Sequence, residues 1–177
     1  FSTRDIIDGT ANTAFASERN KGTDAAATSD HRTAFSLSLC GAACDGSSNL
    51  AVNAVRTQNL YNSCKTLTIN TSDADFFRLG YDNWARGRFV GTLYNHIYTP
   101  NARFFDCCNT RPGSVCDAIP NVDGEEAIIT ARSYHPGGVN VLMGDGQVRF
   151  VGDGVDETIW RAIGSRNAQE PIGNATF

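Results

Sequence analysis

The chain has 177 residues, of which 41% are hydrophobic and 19% charged, so it is long enough to form one globular domain with its own core. Its formal net charge of −4 excludes the basic surface that attracts nucleic acids and anionic lipids. No run of about 20 apolar residues occurs, so no segment of the sequence is expected to span a membrane.

Near the N-terminus, Asp8-Gly9 predicts a turn, and a short strand is expected over residues 13–18 with Phe15 turned inward. Asp8, Asn12 and Glu18 together offer oxygen ligands for a cation. The simpler interpretation is that Asp8 and Asn12 hold the turn through hydrogen bonds from side chain to backbone.

The middle of the chain carries weaker patterns. Residues 20–30 are small and polar, which predicts an exposed loop, and the apolar spacing over residues 50–60 is weakly helical. Residues 76–98 are rich in aromatic side chains and arginine, which favours core packing with arginine stems over aromatic faces. Contact with a glycan through Trp84 and Tyr94 is the alternative, since aromatic rings also stack on sugars.

The cysteine count predicts disulfides and therefore an oxidising compartment, either the periplasm or the cell exterior. The six cysteines have no zinc-binding spacing and are Cys40, Cys44, Cys64, Cys107, Cys108 and Cys116. Sequence alone does not decide their connectivity. Local closure favours Cys107 or Cys108 with Cys116, and Cys40 or Cys44 with Cys64.

The strongest local pattern lies near the C-terminus. Apolar and polar residues alternate on both sides of Asp145-Gly146, which predicts a β-hairpin at about 139–151 closed by a type I′ turn. The stretch before it, His135-Pro136-Gly137-Gly138, predicts a bend into the first strand.

A short helix is expected after the hairpin, at about 156–163, with Asp153 or Asp156 as its N-cap and Gly164 at its C-terminus. The predicted fold class is therefore α+β, with an antiparallel sheet that ends in this hairpin. Many loops and several disulfides are expected to complete the domain.

Candidate chemical groups do not combine into a catalytic set. Ser133, His135 and Asp145 are the types found in a hydrolase triad, but the nucleophile turn GxSxG and an oxyanion hole have no counterpart in the sequence. We therefore predict no catalytic residue and no enzymatic activity. His135 is expected to donate or accept a hydrogen bond that locks its bend, toward the loop of Asn95 and His96, and a two-histidine metal site is the less favoured alternative.

The sequence predicts no cofactor, and calcium is the better candidate among the metals. Asp145, Asp153 and Asp156 lie in a glycine-rich segment, and hard cations bind several oxygen ligands. The alternative interpretation is that Asp145 stabilises the turn and that Asp153 or Asp156 caps the helix.

Four blocks, in this order, resemble conserved segments of the DUF1559 family of prepilin-like proteins, which are abundant in planctomycete bacteria. The hairpin block resembles the family's H-X9-DG motif, because nine residues separate His135 from Asp145-Gly146. The other three blocks are IDGTANT at 7–13 followed by Glu18, Asn95-His96 followed by Pro100-Asn101, and Trp160-Arg161-Ala162 followed by Gly164.

The resemblance implies a pilin-like globular domain over residues 1–177, with a lineage-specific insertion at about 20–80, where the resemblance is poorest. It also implies a prepilin-type cleavage segment and a hydrophobic N-terminal helix, both absent from this chain, as the only membrane contact. The expected function is that of a structural subunit, as in type IV pili or type II secretion pseudopilins, which associates with itself or with other pilin-like subunits. A cell-surface module that binds a glycan or a partner protein is the alternative.

Overall fold

Two sheets and two α-helices organise the residues that the computed structural model describes, which are 2–20, 34–38, 54–67, 77–78, 93–109 and 127–170. The strands are β1 (Ala14–Ser17), β2 (Ala34–Ser38), β3 (Phe77–Arg78), β4 (Asp106–Asn109), β5 (Ala127–Ile128), β6 (Gly138–Met143) and β7 (Val148–Gly152). The α-helices are α1 (Ala54–Lys65) and α2 (Glu157–Ile163), and short 3-10 helices span Thr3–Asp5 and Thr10–Asn12. The described residues contain no helix with the length and apolar character to cross a membrane.

The chain divides into two compact units. The first contains Phe1–Asn20, Asn95–Ala102 and Thr130–Phe177, and the second contains Lys21–Tyr94 and Arg103–Ile129. The prediction of one domain with an insertion at about 20–80 stays a prediction.

The first unit is built on an antiparallel sheet with strand order β1-β6-β7. Val139, Val141 and Met143 of β6 are fully buried on one face, while Leu142 points to the opposite, exposed face. The period-2 pattern of the sequence thus separates a core face from a solvent face, as expected for a half-buried strand. The predicted hairpin is confirmed.

The hairpin loop differs from the predicted type I′ turn, because only Gly146 has a positive φ (+89°) and Asp145 does not. The Gly146 N–H donates to the Met143 carbonyl (3.0 Å), and the Met143 N–H donates to the Gln147 carbonyl (2.8 Å). These bonds enclose three residues, 144–146, and the last of them is a left-handed glycine that forms a bulge. Gly144 adds the third residue, and a Cβ at this position would lie 2.8 Å from the Phe15 ring.

Strand β1 carries a bulge between Ala14 and Ala16 in its pairing with β6. The Phe15 side chain is 53% exposed, so the prediction that it turns inward is wrong. A bulge inserts an extra residue into the strand, which breaks the simple alternation on which that prediction rested.

Helix α2 begins and ends as predicted. The Asp156 carboxylate accepts a hydrogen bond from the Thr158 N–H (2.8 Å), and Gly164 is the C-cap. The Thr158 hydroxyl and the Thr158 N–H both donate to Asp156 and lower the pKa of its carboxyl. Trp160, Ala162 and Ile163 form the buried side of the helix.

The second unit contains a mixed sheet with strand order β3-β2-β4-β5, in which β2 and β4 are parallel and the other pairs antiparallel. Helix α1 lies against β2 and β4. Among the side chains of this helix that the structure describes, Leu60, Tyr61 and Cys64 are buried, four or fewer positions apart as one helical face requires.

A disulfide joins Cys64 of α1 to Cys107 of β4, with a Cα–Cα distance of 6.1 Å. The predicted local pairings of Cys64 with Cys40 or Cys44, and of Cys107 with Cys116, are therefore wrong. Cys64 lies on the buried face of α1, and the packing of this face against β4 brings it to Cys107, 43 residues away in sequence. Cys40, Cys44 and Cys116 lie outside the described residues, as does the side chain of Cys108.

Candidate functional site: the polar network of the first unit

The carboxylate of Glu18 is the centre of a polar network beside the hairpin. Glu18 directly follows β1, and its N–H donates to the Asn140 carbonyl (3.3 Å), which extends the pairing with β6. Its Oε2 accepts the Asn140 N–H (2.8 Å), and its Oε1 accepts the Asn140 side-chain amide (3.1 Å). The same Oε1 lies 3.0 Å from Nε2 of His135. The first sequence block and the hairpin block therefore meet in this network.

The environment of Glu18 favours its ionised form. Burial by itself raises the pKa of the Glu18 carboxyl, but the hydrogen bonds from Asn140 and the neighbouring His135 outweigh it and lower the pKa below its usual value. The His135 side chain remains 56% exposed. The network thus presents an imidazole at the surface, held against an ionised carboxylate.

The partner of His135 differs from the expected one. Its imidazole contacts Glu18, not the loop of Asn95 and His96. Strand β1 pairs with β6, and Ser17 lies opposite Val141. Glu18, the next residue, therefore lies opposite Asn140 near the beginning of the hairpin, where the bend places His135. Local sequence offers no sign of this pairing, because 117 positions separate the two residues.

Asn101 holds the bend that contains His135. Its Oδ1 accepts the Ser133 N–H (2.8 Å), and its Nδ2 donates to Asp153 (2.8 Å) and to the Gly138 carbonyl (3.3 Å). The Ser133 hydroxyl also donates to the Gly138 carbonyl (2.8 Å) and accepts the His135 N–H (3.0 Å). The Ser133 hydroxyl therefore bonds to two backbone groups of the bend.

Two further contacts tie this bend into the first unit. The buried Arg132 donates from Nη1 to the Ala102 carbonyl (2.7 Å), and its N–H donates to the Glu18 carbonyl (3.0 Å). Sequence reasoning missed the roles of Asn101, Ser133 and Arg132. The Pro100-Asn101 pair was a usable signal, because Asn tolerates the left-handed conformation that Asn101 adopts (φ +51°).

The second glycine of the bend, Gly138, lies where β7 leaves no room for a side chain. A Cβ at this position would lie 2.3 Å from the Val151 carbonyl oxygen and 2.8 Å from the Phe150 ring, so the close approach of β7 requires glycine. Pro136 and Gly137 precede it and are exposed.

His96 belongs to a separate cluster with Trp160. The two rings stack with centroids 3.9 Å apart, and the His96 Nδ1–H donates a hydrogen bond to the Trp160 carbonyl oxygen (2.8 Å). A Cβ on Gly164 would lie 2.5 Å from the imidazole Cγ, so this glycine makes room for the ring. Burial lowers the pKa of His96 to about 4, against the opposing effect of the hydrogen bond to Trp160, and the ring is neutral at pH 7.

Asp8 joins the first block to the segment that follows α2. Its carboxylate accepts hydrogen bonds from the Ser165 hydroxyl (2.8 Å) and the N–H groups of Gln169 (2.8 Å) and Ala168 (3.1 Å). Burial alone raises the pKa of Asp8, but these bonds together lower it below its usual value. Asn12 donates from Nδ2 to the Asp8 carbonyl (3.1 Å), and Gly9 precedes the second 3-10 helix with φ +91°.

The predicted cation ligands have separate partners. Asp8 binds the segment after α2 and Glu18 the hairpin, while Asp145 accepts the Gln147 N–H (2.9 Å). Asp153 accepts from Asn101, and Asp156 caps α2. Within the described ranges, no group of three or more His, Cys, Asp or Glu side chains is arranged to hold a metal ion.

Replacing Glu18 with glutamine is expected to lower the free energy of unfolding by about 1–2 kcal/mol, because an amide cannot accept all three hydrogen bonds and has no charge. Urea unfolding at pH 7 measures this change. Glu157→Gln is the matched control, since Glu157 forms an exposed ion pair with Arg161 (3.2 Å), and its loss is expected to lower the free energy of unfolding by less than about 0.5 kcal/mol. Equal effects of the two variants would contradict the central role of Glu18.

Acidification is expected to destabilise the chain through His96. Its folded-state pKa of about 4 lies below the usual value of 6.5, so the unfolded state takes up the proton first as the pH falls. Above pH 6.5 the imidazole is neutral in both the folded and the unfolded state, and the full free energy of unfolding is present. Between pH 6.5 and 4 only the unfolded state is protonated, and the free energy of unfolding falls. Between pH 7 and 5 the free energy of unfolding of the unmodified chain is expected to fall by about 2 kcal/mol more than that of His96→Gln. Urea unfolding at each pH measures both changes. Parallel losses in both chains would contradict a buried neutral His96.

Comparison with known proteins identifies the family of the chain. Residues 1–158 match the model of a family described as a protein of unknown function (DUF1559). No curated protein and no solved structure matches the chain. Because the family match extends from the first block through the hairpin and covers well over half of the sequence, the chain belongs to the DUF1559 family.

Proposed function

We propose that this chain is the exported globular part of a pilin-like or pseudopilin-like subunit without enzymatic activity. The subunit associates with copies of itself or with other pilin-like subunits through a hydrophobic N-terminal helix of the kind that the sequence resemblance implies. Membership of the DUF1559 family over residues 1–158 is the observation that carries this proposal.

The chemistry of the chain supports an exported location, periplasmic or at the cell surface. The Cys64–Cys107 disulfide is a bond that persists in oxidising compartments and is rare in the cytosol. A structural function is supported by the polar network, in which Glu18, Asn101 and Asp8 use their hydrogen bonds to hold other segments of the same unit. These contacts stabilise the fold of the first unit, as a structural subunit requires.

The proposal is tested on the full-length protein in its native envelope by immunogold labelling and negative-stain electron microscopy. Label is expected along regular filaments or in discrete envelope assemblies, and deletion of the hydrophobic N-terminal helix is expected to scatter it. Gold spread evenly over the envelope in both the full-length and the deleted form would overturn the assembly function.

A cell-surface module that binds glycans is the second candidate. The observation that favours it is Tyr134, whose aromatic side chain is 61% exposed beside His135. Tyr94, which sequence suggested for this role, is partly covered, and burial raises the pKa of its phenol; Trp84 lies outside the described residues. A glycan array that detects the unmodified chain but not Tyr134→Ala, with Tyr134→Phe retained, would favour this function.

A further inference from the structure

The outer edge of β7 carries unused backbone hydrogen-bonding groups. The Met143 N–H donates to the Gln147 carbonyl, and the Asp153 N–H donates to the Gly137 carbonyl. Hydrogen-bonded and non-hydrogen-bonded pairs alternate along an antiparallel ladder, so the ladder hydrogen bonds between these ends join Val141 to Arg149 and Val139 to Val151. The N–H and C=O groups of Val148 and Phe150 therefore point away from β6. In the described part of the chain, β7 is the last strand of the order β1-β6-β7, and no strand covers this edge.

The side chains of the same two residues are unusually exposed for apolar groups. Val148 is 65% exposed and Phe150 46%, and Leu142 lies opposite Val148 with 39% exposed. Native edge strands are ordinarily protected by charges, proline or bulges that discourage pairing with another strand. Neither of the two outward-facing positions of β7 carries such a group.

The size of this apolar face decides between possible occupants. Leu142, Val148 and Phe150 together expose roughly 250 Å², a patch at the level found on ordinary monomers. A stable dimer buries about 800 Å² on each partner. The face is thus too small for a second folded copy to be held by it alone, whereas one added strand needs only the backbone groups and a narrow apolar strip.

Charge also disfavours a second copy in the symmetric register centred on Arg149. Asp145 precedes β7 and Asp153 follows it, and both are exposed. Antiparallel pairing of two β7 strands centred on Arg149 would place each Asp145 directly opposite Asp153 of the second copy, and like charges in that position are destabilising. An added strand with basic residues at its ends would meet these carboxylates favourably.

We propose that the open edge of β7 binds an extended peptide segment by strand addition, and that this segment has apolar side chains at alternate positions and basic residues at its ends. The peptide backbone exchanges hydrogen bonds with Val148 and Phe150. Its apolar side chains cover the face formed by these two residues and Leu142. The inference does not depend on the assembly function proposed above.

The test uses the whole chain and a fluorescein-labelled octapeptide with lysine at both ends and three Val-Thr repeats between them. Saturable binding in fluorescence anisotropy at low salt is expected, and replacing both lysines of the peptide with glutamate is expected to weaken it at least fivefold. Val148→Pro removes one outward N–H that the β6 ladder does not use and is expected to weaken binding at least tenfold. Val148→Thr keeps the N–H and is the matched control.

Amide exchange provides a second readout that does not depend on a proline variant. In the unmodified chain, the lysine peptide is expected to protect the amides of Val148 and Phe150 from exchange, while the ladder amides of Val139 and Val141 change little. No saturable binding, equal binding by Val148→Pro and Val148→Thr, or unchanged exchange at Val148 would each overturn the proposal. A dimer in sedimentation velocity that Val148→Pro dissociates would overturn it in favour of a second copy.

Discussion

Replacing Cys64 and Cys107 together with alanine is expected to lower the free energy of unfolding of the second unit by about 4 kcal/mol. The disulfide closes a loop with a sequence separation of 43 residues, and in the chain-entropy model a cross-link of this length restricts the unfolded state by about that amount. Both cysteines are buried, and alanine adds no unpaired polar group to the interior. Hydrogen exchange under increasing urea measures the change, because it reports on α1 and β4 separately from the first unit.

The matched controls for this disulfide lie on the exposed side of α1. Val55 is 71% exposed, so Val55→Ala is expected to change the stability by less than about 0.5 kcal/mol. Loss of protection in the double cysteine variant should be confined to the second unit. A double variant within about 1 kcal/mol of the unmodified chain would show that α1 and β4 are held together without the cross-link.

Replacing Trp160 with alanine is expected to cost about 3–5 kcal/mol, as for other large-to-small changes of a fully buried aromatic residue. Its ring supports His96 on one side, and it is the largest fully buried side chain that the structure describes. The variant also exposes His96, so the pKa of His96 is expected to rise from about 4 toward its usual value of 6.5. Thermal unfolding and an NMR titration of the histidine measure the two effects.

Trp160→Phe is the matched control because it keeps an aromatic ring against His96. The smaller ring leaves some space in the core, and this change is expected to lower the free energy of unfolding by about 1–2 kcal/mol. No hydrogen bond is lost with the indole N–H, because it has no partner within the described residues. The pKa of His96 is expected to stay low in this variant. If Trp160→Ala left the pKa of His96 unchanged, stacking on Trp160 would not be the source of its burial.

The parts of the fold that sequence predicted well are those in which neighbouring residues determine the structure. The hairpin of β6 and β7 follows from apolar residues at every second position, and α2 follows from Asp156 as its cap. The turn type was less predictable. Asp145-Gly146 indicated a two-residue loop, but the hydrogen bonds enclose three residues, 144–146. The additional residue, Gly144, lies close to Phe15 of β1, a contact that no local pattern indicates.

The contacts of the candidate site could not be predicted from neighbouring residues in the sequence. The sequence contained Glu18 and His135 as separate features, and the pairing of β1 with β6 brings them together across 117 positions. Asn101 and Ser133 likewise meet only because two segments of the first unit are adjacent in space. A hydrogen-bond partner is decided by which backbone positions the topology makes neighbours, and no short-range preference of either residue carries that information.

By itself, the sequence determined the family of this protein, the C-terminal hairpin and helix, and the presence of disulfide-forming cysteines, since each depends on residue order or on patterns within a few positions. Tertiary structure alone decided that Cys64 pairs with Cys107 and that Glu18 holds His135 and Asn140. It also decided that, among the strands that the structure describes, none pairs with the outer edge of β7. The physical reason is that these features are set by the packing of distant segments, where burial and backbone pairing over the whole unit outweigh the preferences of any local stretch.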